Sequence, residues 1–462
     1  DFTQFAPRNA LDMLQRVPGF SIRGSDNQRG LGQATGNVLL NGARPSSKSD
    51  DIFAQLTRIP VSAVTRIEIV DGAQLDIPGL SGQVANVVFV NSGGLSGQFS
   101  WIPQFRPYNT NPLLTRGDIS VTRKRGDLTL EAALNNADAG RGGADGPTRI
   151  VNADGTLRQL RDDVVTSDYD SPKLSGKLTW DPAGDRILNL NGHYQRIYER
   201  FRENSQRATP GRPAELQTIR QRENRWNYEI GGDYTFPLAG GTFKGIGLRR
   251  QSHEPLSVKV ISQLADGSPA TGDRFAQVGD TAETVARGEF NWTMLGGDWQ
   301  VAGEAAFNSL DNVASLATLA PDGTFVDVPF PDGSGGVSED RYEGSLSFGR
   351  TLTPKLSFQL NLAAEHSTIV QSGPNGLERS FLRPKGKLAL AWKPSADLDL
   401  AFSVQRRVLQ LSFYDFLARA FLDDDNQNSG NNDLRPRQDW SFEGELNKSL
   451  GPWGKTQLQV IY

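Results

Sequence analysis

Two patterns of apolar and polar positions divide this chain. Through residue 90 the apolar residues fall in short mixed runs. In 9–17, Leu11, Leu14 and Val17 share one helical face, and Pro18 and Gly19 stop the helix. The segment 20–22 reads as a short strand, and 37–40 as a buried strand closed by Asn41-Gly42, a strong turn signal. Ile52, Phe53, Leu56 and Ile59 form a second helical face over 50–59. Strands follow at 64–70, closed by Asp71-Gly72, and at 84–90. From Leu95 the period is two. Leu356, Phe358, Leu360 and Leu362 alternate with Ser357, Gln359 and Asn361. Leu398, Leu400, Phe402 and Val404 alternate with Asp399, Ala401, Ser403 and Gln405. Trp226, Tyr228, Ile230, Tyr234 and Phe236 face away from Asn227, Glu229, Asp233 and Thr235.

Several of these runs are more than twice the usual length of a soluble strand, which is about five or six residues. Their connections are asymmetric. Short turns lie at 124–127, 181–185, 237–241, 295–298, 351–355, 393–397 and 450–455. Longer polar stretches lie at 138–163, 206–214, 266–280, 311–338, 371–378 and 411–435. Trp180, Phe236, Trp292, Trp299, Trp392 and Trp453 crowd the short turns, as an interfacial girdle would. The pattern predicts a transmembrane β-barrel in a bacterial outer membrane, with an N-terminal α+β domain inside its lumen. The expected division is 1–92 and 93–462. About fifteen strands fit the barrel part. The last, 456–462, ends while still apolar, and an open edge in lipid leaves backbone groups unsatisfied. The expectation is a barrel incomplete at the C-terminus, completed by further residues or by another chain.

Composition agrees with a barrel. Mean hydropathy is −0.46, and no apolar run is long enough for a transmembrane helix. Alternation hides a barrel's membrane signal, so low hydropathy is no objection. Gly is abundant at 49 residues, as strand crowding and tight turns require. The 49 basic and 53 acidic residues give a net charge of −4, which does not point to nucleic acid. The absence of Cys suits an oxidising compartment. The first residues carry no secretory signal, so one is expected to have been removed or omitted.

Four segments carry a family resemblance: 9–24 (NALDMLQRVPGFSIRG), 38–44 (VLLNGAR), 59–72 (IPVSAVTRIEIVDG) and 82–88. In this order they resemble the plug domain of TonB-dependent outer-membrane receptors. The barrel resembles that family only in pattern. The resemblance implies a barrel of the 22-stranded, plugged type. It implies import of a scarce ligand too large for porins, of siderophore, oligosaccharide or peptide class. The work would come from a TonB-type inner-membrane protein acting through a segment upstream of Asp1. It implies a transporter rather than an enzyme, with no catalytic residues and no cofactor. Two other readings stay open: a surface receptor without net import, and a passive porin, which a plug opposes. The expected partners are the lipid bilayer, a small ligand, and a surface lipoprotein or chain completing the barrel. Two departures stand out. Asp71 occupies a position where many members carry Arg, and no energy-coupling box is recognisable in 1–8.

Candidate contacts follow from these readings. Plug loops 25–34 and 43–49 are expected to face outward and offer Asn27, Gln28, Arg29, Arg44, Ser46 and Ser47 to a ligand. An Arg fork suits anionic groups, although solvated turns would read the same way. Arg23, Arg66 and Glu68 match family plug positions, which implies plug–barrel ion pairs, with a surface pair as the alternative. Asp423, Asp424 and Asp425 are a weak Ca²⁺ candidate whose spacing is not that of an EF-hand, and a plain acidic loop competes with it. The Gly-rich stretch 138–147 lacks the Lys-Ser/Thr ending of a phosphate loop. His193, His253 and His366 lie far apart and form no metal-binding cluster.

Overall fold

Asn9 starts the first helix. Its Oδ1 accepts from the Asp12 N–H at 2.9 Å, which satisfies one of the backbone donors a helix start leaves open. The computed structural model describes residues 2–462 except 19, 25–30, 32–35, 45–50, 76, 78, 79, 81, 91, 92, 183, 184, 374, 375, 423–425 and 432. Helix α1 spans Ala10–Leu14 and helix α2 spans Ile52–Arg58. Strands β1 (Val38–Leu40), β2 (Val64–Asp71) and β3 (Gln83–Phe89) form a sheet in the order β1-β3-β2. β1 runs parallel to β3, and β2 runs antiparallel to it. The sheet is apolar on both faces. Ala85 and Val87 pack with Ala10, Leu14, Ile52, Leu56 and Ile59, whereas Val84 packs with Leu39 and Leu80. The segment 20–22, expected as a strand, joins no ladder. Its successor is held instead by Asn37, whose Oδ1 accepts from the Arg23 N–H at 2.7 Å.

The remaining strands build the wall. First come β4 (Gly94–Trp101), β5 (Gly117–Arg125), β6 (Leu128–Asn135), β7 (Gly140–Val151), β8 (Leu157–Asp170) and β9 (Lys173–Trp180). Long strands follow: β10 (Ile187–Ala208), β11 (Glu215–Leu238), β12 (Gly241–Leu264), β13 (Thr271–Met294) and β14 (Gly297–Leu319). Then come β15 (Phe325–Val328), β16 (Gly335–Thr353), β17 (Leu356–Gln371), β18 (Glu378–Ser395) and β19 (Leu398–Val408). The series ends with β20 (Arg419–Phe421), β21 (Asn426–Asn428), β22 (Gln438–Ser449) and β23 (Lys455–Ile461). Antiparallel registers run from β4 through β5, β6 and β9 to β10, then strand by strand through β14, β16–β19 and β22 to β23. The strand order is circular, with β23 next to β4. Among the described residues, however, each of these two strands is registered residue by residue to a single neighbour, β22 and β5 respectively. No helix is long and apolar enough to cross a membrane.

The wall inverts the burial of a soluble protein. Leu362 is 53% exposed and Leu382 73%, whereas Glu365 and Arg383 are buried. Apolar side chains face outward and charged ones inward, which is the arrangement for a sheet with lipid outside and a filled lumen. At the short-turn end the outward aromatics touch across four strands. Phe290, Trp292, Trp299, Phe348 and Phe358 follow one another at centroid spacings of 5.5, 6.1, 4.4 and 5.5 Å. The turns here are tight. Ala239-Gly240 and Leu295-Gly296 all have positive φ, as two-residue hairpins with the right twist require.

Several stretches expected as loops are strands. Residues 140–151 and 157–170 pair as the β7–β8 hairpin, β8 adds to the upper part of β10, and β13 already begins at Thr271. Strands β11, β12 and β13 each run 24 residues, whereas about ten suffice to cross a bilayer. Above the bilayer both faces meet water, so the hydrophobic period vanishes while the ladder continues. The 411–435 stretch is also not a plain polar loop. Phe413, Phe416 and Leu417 turn inward onto Leu310, Val337 and Ile369 of β14, β16 and β17.

Candidate functional site

The plug meets the wall on several sides. The Leu31 N–H donates to Glu304 Oε2 of β14 at 3.0 Å, and the Leu31 side chain packs on Leu248, Val285 and Ala306. Gln359 Nε2 of β17 donates to the carbonyls of Leu75 and Ile77 at 2.8 and 3.2 Å. Arg23 Nη1 lies 3.8 Å from Glu443 Oε1 of β22. Gln98 of β4 donates to the Thr57 carbonyl, and Ala73 packs against Ala389 and Ala391 of β18. The α+β unit is therefore seated inside the lumen.

Behind Leu31 lies a buried ion-pair network on the inner wall. Glu304 pairs with Arg341 at 2.5 Å and with Arg287 at 3.4 Å. Arg341 reaches Glu365 at 3.4 Å, and Glu365 also takes Arg383 and Lys385, both at 2.6 Å. Lys385 closes on Glu343 at 2.7 Å. Alternate residues on a strand share a face, and the register sets neighbouring strands side by side. Inward positions of β13, β14, β16, β17 and β18 thus meet in one patch. Each charge has at least one opposite partner, which is what makes such burial tolerable.

On the long-loop side a cavity of about 640 Å³ opens between the β10–β14 wall and the infolded loop. Its lining includes Gln195, Asn227, Ser252, Thr281, Asn308 and Tyr414. The Tyr414 hydroxyl donates to Glu254 Oε2 at 3.2 Å, and burial first, then Glu254 beside it, push the phenol up from its ordinary range. A second cavity of about 430 Å³ lies toward the short turns, lined by Arg44, Lys124, Glu131, Asn189, Asp233 and Lys244 among others.

The sequence-derived candidates are distributed unevenly. Arg23 reaches the wall at Glu443, as noted. Arg66 Nε pairs with Glu68 at 2.6 Å along β2, and Glu68 accepts from Asn86 at 2.8 Å. Arg44 lies in the second cavity, near Glu289 and Arg287. Burial pushes its guanidinium down to about 10, with Glu289 opposing the shift. Asn27, Gln28, Arg29, Ser46, Ser47, Asp423, Asp424 and Asp425 lie outside the described residues. Among the described residues no cluster of metal-ligating side chains occurs. His193 and His253 bond to Asn227 and Asp280 at 2.9 and 2.7 Å. Sequence reasoning missed both the wall network and the infolded loop. The network has no one-dimensional signal, because its members come together only through register. The loop did have one: Leu411, Phe413, Phe416 and Leu417 are apolar in a stretch read as polar.

Comparison with known proteins fits this geometry. Residues 1–83 match the model of the TonB-dependent Receptor Plug Domain. No curated protein matches the chain by sequence. Among solved structures, the copper transporter OprC aligns over 98% of this chain and 71% of its own, with 11% identity and a TM-score of 0.50, a likeness of fold. The siderophore receptor PiuA from Acinetobacter baumannii aligns over 96% of this chain and 68% of its own, at 11% identity and a TM-score of 0.47. The ferripyoverdine receptor of Pseudomonas aeruginosa aligns over 99% of this chain and 61% of its own, at 12% identity and a TM-score of 0.47. The chain thus spans between about three fifths and seven tenths of these receptors' lengths. Taken with the inverted wall and the seated α+β unit, the match at 1–83 shows that this chain carries a TonB-dependent receptor plug domain ahead of a transmembrane β-barrel wall.

Proposed function

We propose that this chain acts as an energy-coupled transporter of the Gram-negative outer membrane, taking up a ligand too large for porins. The observation that carries the reading is the seating of the plug. Contacts from Gln98, Glu304, Gln359 and Glu443 hold it from β4, β14, β17 and β22, spread along the run of wall from β14 round to β4. A body held on several sides does not leave by diffusion, so a passive pore is disfavoured. Opening a path requires work, and regions that rearrange under work come from the less stable parts of a fold. The outer membrane holds no nucleotide store, so the work would come from a TonB-type partner pulling on a segment that precedes Asp1.

In this reading residues 1–92 are the gate and 93–462 the conduit. The plug loop bearing Asn27, Gln28 and Arg29 would form the floor of an outward cup; Arg44, expected there with Ser46 and Ser47, lies instead in the cavity toward the short turns. The 411–435 stretch would roof the cup. The test is deletion of residues 9–90, followed by conductance in planar bilayers. The reading expects an intact protein that conducts little and a deletion variant that conducts as an open pore. Equal conductance from both would sink it.

A further inference from the structure

The cavity under the infolded loop carries a statement about ligand chemistry. Ligand pockets of about 300–1,000 Å³ are usually lined mainly by apolar groups. This one, at about 640 Å³, is lined instead by neutral hydrogen-bonding side chains: Gln195, Asn227, Ser252, Thr281 and Asn308. These groups both donate and accept, as a hydroxyl does.

The charged lining groups have partners already. Arg250 Nε lies 2.5 Å from Glu283 Oε2, and Glu254 accepts from Tyr414. With Asp51 also present, carboxylates outnumber cations around the space. Such a lining repels an anionic chelate, a phosphate or a sulfated sugar.

Asn308 sharpens the reading. It is 4% exposed, its Nδ2 donates to Glu339 Oε2 at 3.4 Å, and its Oδ1 is buried with no partner. A buried carbonyl left unpaired is costly, and turning the Asn308 amide toward the cavity it lines would let a ligand hydroxyl remove that cost. The roof supplies an aromatic face. Tyr414 reaches Glu254 because the wall opposite it is Gly279, where any side chain would collide with the tyrosine hydroxyl. Tyr414 lines the space with its polar end anchored, and the C–H face of a pyranose packs on an aromatic ring of this kind.

We propose that this cavity binds an uncharged, hydroxyl-rich ligand of the oligosaccharide class, with Asn308 and Thr281 bonding its hydroxyls and Tyr414 stacking on a ring. The inference deepens the transporter reading, and rests on it only for what happens after binding.

The test is calorimetric titration of the purified full chain in detergent. The probes are neutral gluco-, xylo-, galacto- and manno-oligosaccharides of three to six units, with a ferric tris-catecholate as the anionic comparison. The expected result is binding of at least one neutral series and none of the chelate. Asn308→Leu and Thr281→Val should each lower that affinity about tenfold, the size of one lost hydrogen bond to a buried partner. Tyr414→Ala should lower it further, with heat-modifiability on gels unchanged in all three. Absence of saccharide binding, binding indifferent to all three substitutions, or preferential binding of the catecholate would overturn the proposal. Saccharide binding without uptake would leave it standing and remove the transporter reading. A conducting plug-deleted variant from a protein that ignores saccharides would do the reverse.

Discussion

The Leu31 N–H donates to Glu304 Oε2 at 3.0 Å, across 273 residues of sequence. The same carboxylate accepts from Arg341 at 2.5 Å and from Arg287 at 3.4 Å. One side chain therefore joins the plug to a wall network that continues through Glu365 and Lys385. Glu304 is almost wholly buried, so its partners act in a low local dielectric, where both the bond made and the bond lost weigh more. The plug thus rests on the same carboxylate that holds Arg341 and Arg287 in place.

Glu304 variants should separate these roles. Glu304→Gln keeps an acceptor for the Leu31 N–H but strips both arginines of this counter-charge. Breaking a buried pair from one side costs about 3–5 kcal/mol. Glu304→Ala removes the acceptor as well. The expected order of stability is wild type, then Gln, then Ala, read by urea unfolding in lipid vesicles. Exchange of the Leu31 amide with deuterium should accelerate most in the Ala variant. An unchanged exchange rate at Leu31 would show that the plug does not depend on this bond.

Much of the fold was legible because lipid imposes a strict rule on alternation. Phe402 faces out and Ser403 is buried, as the period of two requires. The short turns were readable from Gly and Asp, and the plug from its helical faces and Asn41-Gly42. What was hidden lay where that rule lapses. The β7–β8 hairpin carries Arg141, Asp145, Asp163 and Asp168 on strands that water bathes, so no apolar stripe marks it. The network was hidden for another reason. Glu304 and Arg341 are 37 positions apart, and only the β14–β16 register brings them together.

The outward face should be intolerant of charge. Leu362 lies mid-strand on β17, 53% exposed, on the face opposite Glu365. Leu362→Arg should cost about 2–4 kcal/mol if the position sits near the bilayer midplane. The measurement is the folded fraction in vesicles across a urea series. An effect within experimental error would mean that this face meets water or protein rather than lipid.

Orientation is testable with cysteine, because the chain has none of its own. Gly155, Gly211 and Gly323 sit at the tips of long-strand connections, in turns with positive φ. Ala239 and Ala396 sit in the short turns. Single Cys substitutions at the first three should react with an impermeant maleimide on intact cells, and those at the last two only after lysis. The opposite pattern would invert the protein in the membrane.

The burial of Asp71 at the end of β2 predicts a pH dependence. Asp71 closes β2 opposite Gln83, and its Oδ1 accepts from the Ala73 N–H at 2.8 Å. Burial against the wall is the main influence on its carboxyl and pushes it up to about 7, from an ordinary value near 3.8. The Ala73 hydrogen bond opposes this, Glu445 and Asp399 add to it, and Lys387 opposes it weakly. The folded state thus holds a proton that the unfolded chain releases near 3.8. The resulting stability is complete below that value and is lost as the pH rises through about 7. Protection of the β2–β3 amides from exchange should therefore fall between pH 5.5 and 8 in the wild type. In Asp71→Asn, which keeps an acceptor for Ala73 and cannot ionise, the same pH change should leave protection flat once the intrinsic exchange rate is divided out. A wild-type profile as flat as the variant's would show that Asp71 stays ionised in the seated plug. The shift would then have been cancelled by Lys387 and the Ala73 hydrogen bond, and the aspartate would be one more wall contact rather than a titrating one.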